Sequence, residues 1–286
     1  MLTLLFDGVA YGMLLFVLAV GLAVTLGLMN FVNLAHGAFA MAGGYVTVLL
    51  MNRAGVPFLA TLPLAFLIPA IVGAVAERLL YRPMYSRPHL DHVLFSIGLV
   101  FMTVAAVDYF VGSSQQIVKL PDWLLGRFEI AGVGIGKYRL FIIIFCLLLT
   151  GLLQGVLARS RFGSRLRAAV DDPRVAAGLG IDVNTIFSVT FAVGSGLAGL
   201  GGALGAEVLG LDPSFPLKFM IYFLIVVSVG GTTTITGPLL AALLLGIADV
   251  MGKYYVPKLG AFVVYTLMVA ILFFRPQGLF GRGATK

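Results

Sequence analysis

The side chains with the clearest chemical capability lie in NFVNLAHGAFAMAGGY, residues 30–45. Two amides, Asn30 and Asn33, and the imidazole of His36 stand there between long apolar stretches. On a helix, Asn33 and His36 would be neighbours at i and i+3. Buried amides must be hydrogen-bonded, because an unpaired polar group in apolar surroundings is costly.

Small residues beginning with Gly37 keep the backbone around these polar groups accessible. A second stretch, SVGGTTTITGP at 228–238, combines Gly230 and Gly231 with the hydroxyl of Thr232. Small residues with a few polar groups are typical of broken helices along a transport pathway. The alternative is that the Asn and His side chains tie together a junction between two helices.

The sequence lacks the motifs that would indicate nucleotide binding or enzyme catalysis. The sequence contains no GxxxxGK[ST], HExxH or GxSxG, and the match to GxGxxG at Gly194, Gly196 and Gly199 lies inside an apolar segment rather than after a strand. The one Cys and the isolated His36 provide neither a disulfide framework nor a metal site. We therefore expect a chain that is not an enzyme and binds no metal or cofactor; a membrane-embedded enzyme is the alternative.

The stretch RLRAAVDDPRVAAGLGIDV, residues 165–183, predicts a helix of about two turns. Asp172 is a suitable N-cap and Pro173 a suitable first residue, while Gly180 follows the end. At helical spacing Val175, Ala176 and Leu179 are expected on one face. So short a helix needs a partner surface. It is either a docking helix for another protein or a loop helix resting on the bilayer.

The elements that position these residues are set by composition. Of 286 residues 60% are hydrophobic and only 11% charged, against about 25% charged in soluble domains. This predicts an all-α, polytopic membrane bundle forming one domain, residues 1–286. Nine apolar segments lie near 4–28, 34–51, 57–80, 92–112, 138–158, 185–206, 217–231, 237–251 and 259–274. Eight spans remain possible if 228–238 is a re-entrant bend.

The basic residues orient these segments. Segment 159–174 contains five Arg and is expected in the cytoplasm, as is the C-terminus. The net charge of +7 then reflects topology rather than nucleic-acid binding. The loop 113–137 would be external, with a short interfacial segment around Trp123. Ionisable residues such as Glu77 and Asp249 fall at segment ends, which argues against a proton-driven transporter.

Small residues recur every fourth position in TFAVGSGLAGLGGALGAEV, residues 190–208. Gly194, Ala198 and Gly202 form one such stripe, and Gly201 with Gly205 forms another. Stripes of this kind allow helix backbones to approach closely in membranes. We expect close packing of this segment within the protein or against a second membrane subunit.

Four stretches together resemble the LivH-type permeases of bacterial ABC importers for branched-chain amino acids. They are GLAVTLGLMNFVNLAHGAFAMAGGY (21–45), RLRAAVDDPRVAAGLGIDV (165–183), SVGGTTTITGPLLAALLLG (228–246) and FRPQGLFG (274–281). Permeases for urea, amides or small carboxylates share these landmarks, and an autonomous channel is a further alternative. Several relatives carry Glu where this chain has Ala38, so its substrate could differ.

The resemblance implies an inner-membrane importer with several subunits. A second permease of the LivM type, two cytosolic ATPases that bind ATP and Mg, and a periplasmic binding protein would be the partners. Segment 159–184 would then contain the coupling helix. The residues that this assigns to ATPase coupling are Arg165, Arg167, Asp172, Pro173, Val175, Ala176, Leu179 and Gly180.

Overall fold

A computed structural model describes residues 1–29, 33–85, 87–130, 133–231 and 234–279. Within these ranges the chain forms eleven α-helices and one β-hairpin. The helices are α1 Leu2–Met29, α2 His36–Ala54, α3 Phe58–Ala76, α4 His89–Val111, α5 Lys137–Arg159, α6 Arg161–Asp171, α7 Pro173–Gly178, α8 Val183–Leu209, α9 Phe215–Gly230, α10 Thr236–Tyr255 and α11 Gly260–Phe274. The strands are β1 Arg127–Ile130 and β2 Val133–Gly136, paired antiparallel.

Each of the nine apolar segments corresponds to one helix. Six stretches in the described ranges are long and apolar enough to cross a membrane: Leu2–Gly27, Phe58–Met84, Leu90–Val111, Lys137–Arg159, Val183–Leu209 and Thr236–Tyr255. Helices α9 and α11 are apolar but shorter. Helix α2 has 19 residues and includes His36, Asn52 and Arg53, and much of it is buried inside the bundle. The chain is a multi-pass membrane protein with an all-α bundle.

Helix α8 lies at the centre and approaches its neighbours through small residues. Gly194 faces the backbone of Gly21 in α1, and a methyl group added at Gly202 would lie only 1.8 Å from the carbonyl oxygen of Ala40 in α2. Ala198 is fully buried. A larger residue at these positions would force the helices apart, because the nearest atoms belong to backbone.

The other faces of α8 are packed as closely. A methyl group added at Gly199 would lie 2.4 Å from the carbonyl oxygen of Ala65 in α3. Gly201 faces Leu18 of α1, and Gly205 lies near Leu14. Helix α8 therefore contacts α1, α2 and α3 on different sides, and the stripe at positions 194, 198 and 202 is only part of a helix that is small-residue-rich all round.

Helices α1 and α10 are antiparallel. Gly8 faces Ile247 and Gly12 faces Gly246, which brings Tyr255 beside Met1. We call this end of the bundle, which also carries the hairpin, the hairpin end. At the other end, which we call the basic end, α6 lies next to the C-terminal parts of α1 and α5 and the start of α10, and α7 packs against α6.

The hairpin end contains structure that the sequence analysis missed. Residues 113–137 were expected to form a loop with a short interfacial segment. They form instead a short 3₁₀ turn, Asp122–Leu124, followed by strands β1 and β2. Trp123 is exposed and packs edge-on against Phe141 of α5, with ring centroids 6.1 Å apart.

The prediction that Glu77 and Asp249 lie at the ends of their apolar segments was wrong. Helix α3 continues through a π-helical turn, Glu77–Tyr81, and a 3₁₀ turn, Arg82–Met84. We call the continuous helical stretch Phe58–Met84 the α3 segment, and Glu77 lies inside it. Its carboxylate is fully buried and pairs with Arg82 at 3.2 Å. Asp249 is buried within α10 and pairs with Lys253 at 2.6 Å. Each buried carboxylate is therefore balanced by a cation one turn away.

Candidate functional site

Asn33 lies in the connection between α1 and α2, just before α2 begins. Its side-chain oxygen accepts hydrogen bonds from the backbone nitrogen of Ala35 and from the hydroxyl of Tyr81, both at 3.0 Å. Asn33 and His36 do not share a helix, because Asn33 precedes α2 and its carbonyl oxygen accepts from the backbone nitrogen of His36. Asn30, the other predicted amide, lies outside the described residues.

His36 connects three helices. Its Nε2 atom lies 2.9 Å from the carbonyl oxygen of Leu18 in α1, and its ring packs edge-on against Phe223 of α9 at 6.2 Å. Gly37 packs against Pro216 at the start of α9. Both Asn33 and His36 are buried. In this conformation their contacts are those of a hydrogen-bonded helix junction, the second of the two interpretations.

The stretch at 228–238 is a tight connection between α9 and α10. A methyl group added at Gly237 would lie 2.1 Å from the carbonyl oxygen of Gly230, and Gly231 has a φ of +79°. The C-terminal segment packs on this connection, where the backbone nitrogen of Leu279 donates to the carbonyl oxygen of Val229 at 2.7 Å. Thr232 lies outside the described residues.

Helix α7 begins as the sequence predicts. The carboxylate of Asp172 accepts hydrogen bonds from the backbone nitrogens of Arg174 and Val175, at 2.8 and 3.1 Å. Pro173 is the first helical residue. The helix ends at Gly178, and Gly180 has a φ of +82°, which favours glycine.

The expectation that three apolar residues share one face of α7 was wrong. Val175 and Leu179 are 59% and 75% exposed, whereas Ala176 is 1% exposed. Leu179 follows the last residue of α7, so only Val175 and Ala176 lie on the helix, and position 176 is rotated from 175 by about 100°. Ala176 packs in a small apolar cluster with Leu166, Ala169 and Ile186. The helix is thus anchored by one face and presents another to its surroundings.

Helix α6 supplies most of this anchor, and the sequence analysis did not predict it. Ser160 caps its first turn by accepting from the backbone nitrogen of Gly163 at 3.0 Å. Leu166 and Ala169 face inward, while Arg165 and Arg167 are exposed. The Arg167 guanidinium donates to the carbonyl oxygen of Leu157 at 2.5 Å. The N-cap serine and the three-residue spacing of the inward residues were the available signals.

A polar cluster near the basic end was also missed. Glu77 accepts hydrogen bonds from Arg82, Tyr85 and Ser188, and the Arg82 guanidinium in addition donates to the Ser188 hydroxyl at 2.8 Å. Ser188 lies in the second turn of α8, next to Phe187, whose ring packs edge-on against Tyr85. The cluster therefore joins the end of the α3 segment to the start of α8.

These connections form a continuous series at the basic end. Ala176 of α7 packs with Ile186 of α8, and Ser188, two residues further, bonds to Glu77. One turn beyond Glu77, Tyr81 bonds to Asn33 beside α2. The surface helix α7 is thus linked by direct contacts to the α1–α2 junction.

In the described residues no three His, Cys, Asp or Glu side chains are grouped so that they could hold a metal ion.

Comparison with known proteins places this architecture in a family. The chain is 28% identical to a high-affinity branched-chain amino acid transport system permease protein, BraD, of Pseudomonas aeruginosa, over 97% of this chain and 95% of the relative. It is 29% identical to a probable branched-chain amino acid transport permease protein, LivH, of Methanocaldococcus jannaschii, covering 96% and 90%. The permease protein LivM of Escherichia coli is 26% identical, covering 93% and 68%.

No solved structure matches the chain significantly. The family model for the permease component of branched-chain amino acid transport systems matches residues 4–272, almost the whole chain. The match includes the first three stretches on which the resemblance was based and ends within α11, before FRPQGLFG at 274–281. This chain therefore belongs to the branched-chain amino acid transport system permease family.

Proposed function

We propose that this chain is a transmembrane permease subunit of an ABC importer for branched-chain or other hydrophobic amino acids. The family match and the names of the relatives support the class of transporter. The observation that carries the mechanism is helix α7, which is capped by Asp172 and anchored by Ala176; Val175 on the helix and Leu179 directly after it are exposed. An exposed apolar pair at a fixed short helix suits docking into a groove of a partner protein.

The partners are those that the resemblance implies. A second permease of the LivM type would complete the pathway, two cytosolic ATPases would bind ATP and Mg, and a periplasmic binding protein would deliver the substrate. This chain itself would carry out no catalysis. The basic end would face the cytoplasm of an inner membrane, because segment 159–174 contains five Arg, four of which lie in or just before α6.

The contacts at the basic end form a path along which a displacement of α7 would reach the helices of the bundle. Closure of the ATPases would displace α7, and Ala176 would pass this displacement to the start of α8 through Ile186. The Ser188–Glu77 bond would then carry it to the α3 segment, and Tyr81 to Asn33 beside α2. Small helix shifts of this kind are a known form of switching in packed proteins.

Co-expression with the neighbouring reading frames tests the proposal. We expect the purified chain to bring a second permease and ATPases, and the complex in liposomes to accumulate leucine with ATP and the cognate binding protein. A chain that purifies alone and conducts solutes without ATP would be the autonomous channel. An intact complex that transports urea or a small carboxylate, and not leucine, would keep the transporter class and reject the substrate.

A further inference from the structure

Two cavities lie side by side at the hairpin end. The outer one, about 370 Å³, lies beneath the hairpin and is lined by Gly126, Arg127, Tyr138 and Glu207, among others. The inner one, about 310 Å³, is formed between α1, α5, α8, α9 and α10. Asp7, Arg139 and Val208 line both. The ion pair between Asp7 and Arg139 is therefore part of the wall that the two cavities share.

The inner cavity combines charges of both signs with apolar side chains. The Asp7–Arg139 pair lines it from α1 and α5, and the Asp249–Lys253 pair lines it from α10. The carboxylate of Asp249 is buried, whereas the side chains of Arg139 and Lys253 are about half exposed. The two cations are therefore more accessible than this carboxylate.

The apolar part of the lining comes from the bundle core. Leu14 and Ile142 are fully buried, and Phe219 of α9 is partly buried beside them. The tyrosine Tyr11 also lines the cavity, and the ammonium of Lys253 lies 5.8 Å from the centre of its ring. The hydroxyl of Tyr222 lies 3.4 Å from the Asp249 carboxylate. The lining thus combines apolar side chains with charged and hydroxyl groups.

We infer that the inner cavity binds a small zwitterion with an aliphatic side chain, that is, a free amino acid such as leucine. Its charged lining holds two carboxylates and two cations, so a ligand with one net charge would leave one sign unbalanced. An ammonium and a carboxylate on one carbon can each exchange with one partner of an ion pair. The aliphatic side chain would cover Leu209 and Phe219, which line the cavity and are only partly buried, and the volume lies in the range of small-molecule sites.

This inference rests on the proposed function and adds a site to it. The Asp7–Arg139 pair would be a recognition element common to the two cavities, because both residues line each of them. A zwitterionic lipid headgroup presents the same pair of charges. The outer cavity beneath the hairpin favours entry of a free solute, and the experiment separates the two sources.

The test is binding of radiolabelled leucine to the permease with its co-purified partners, without the binding protein, in phosphatidylcholine nanodiscs. We expect saturable binding that leucine displaces at least about 10-fold better than 3-methylbutylamine or 4-methylpentanoate, which lack one charge each. Arg139→Gln and Asp249→Asn should weaken binding by about 10-fold or more. Ala10→Phe, which places a ring in the cavity, should abolish it.

Lys218→Gln is the matched control. It removes the cation of another ion pair, with Asp212, which lies between α8 and α9 outside both cavities, and leucine affinity should not change. Equal competition by the two singly charged analogues would overturn the inference without relying on variants. Displacement by phosphoethanolamine as strong as by leucine would assign the site to lipid and also overturn it.

Transport distinguishes this inference from the proposed function. A complex that accumulates leucine with ATP, while Arg139→Gln and Asp249→Asn keep wild-type affinity, would refute the site and leave the function intact. Absence of leucine transport by a complete, ATP-hydrolysing wild-type complex would refute the function on which the site depends.

Discussion

The hydroxyl of Ser188 donates a 2.5 Å hydrogen bond to the carboxylate of Glu77, across 111 residues of sequence. The two residues join the start of α8 to the end of the α3 segment. Arg82 and Tyr85 donate to the same carboxylate. Arg82, Tyr85 and Ser188 all donate to the Glu77 carboxylate, so residue 77 must provide an acceptor at both oxygen positions.

Replacing Glu77 by Gln should therefore destabilise the protein although the shape is unchanged. The amide nitrogen would face donors, and at least one bond would become a donor–donor contact. We expect a loss of about 1–3 kcal/mol, measured as a lower unfolding temperature in detergent. Ser96→Ala is the control, because the Ser96 hydroxyl donates within its own helix, to the carbonyl oxygen of Val93. An unchanged unfolding temperature for Glu77→Gln would show that the cluster does not hold the helices.

Two exposed residues, Val175 of α7 and Leu179 directly after it, test the coupling role. Val175→Asp and Leu179→Asp should abolish most substrate-stimulated ATP hydrolysis by the complex, because a carboxylate would be placed in an apolar docking groove. Their effect on stability should stay within about 0.5 kcal/mol, since both side chains are exposed. ATPase rates and unfolding temperatures of the same preparations provide both readouts.

Ala176→Asp is the contrasting variant at this helix. Its side chain would be buried among Leu166, Ala169 and Ile186, so it should lower stability as well as activity. Full stimulated hydrolysis by both exposed-site variants would contradict the assignment of α7 as the docking helix. Loss of stability in all three would mean that the activity effect reports unfolding.

The approach of α2 to α8 depends on Gly43. A methyl group added there would lie 2.1 Å from the carbonyl oxygen of Gly199, a backbone atom that cannot rotate away. Gly43→Ala should cost about 1–3 kcal/mol or more through overpacking. Gly151→Ala in α5 is the matched control, because nothing lies within 4 Å of the added methyl group. Thermal unfolding should separate the two variants; equal stability would show that α2 and α8 can move apart freely.

The bond between Tyr81 and Asn33 allows a double-mutant cycle. Tyr81→Phe and Asn33→Ala each remove one partner of the 3.0 Å hydrogen bond. We expect a coupling energy of about 1 kcal/mol, so that the double variant is more stable than the sum of the single effects predicts. Strictly additive effects on the free energy of unfolding would show that this bond does not link α3 to the α1–α2 junction.

Features encoded by local sequence were predicted well. The nine apolar segments correspond to nine helices, because apolar length in a charge-poor chain depends on composition alone. The start of α7 at Pro173 was predicted because Asp172 and Pro173 act on the backbone within one turn. The hairpin at 127–136 was missed, since two four-residue strands beside a loop give too short a pattern.

The pairing of side chains that are distant in the sequence could be seen only in the tertiary structure. The sequence places Glu77 in one segment and Ser188 in another, but only the packing of α3 against α8 brings them together. The same holds for Asp7, Arg139 and Asp249, which meet at one cavity from three helices. Local sequence patterns determine where the helices begin and end and which stretches are apolar. Which helix faces pack together depends on steric fit along the whole length of both helices, as at Gly43 and Gly199. No short window of sequence contains that information.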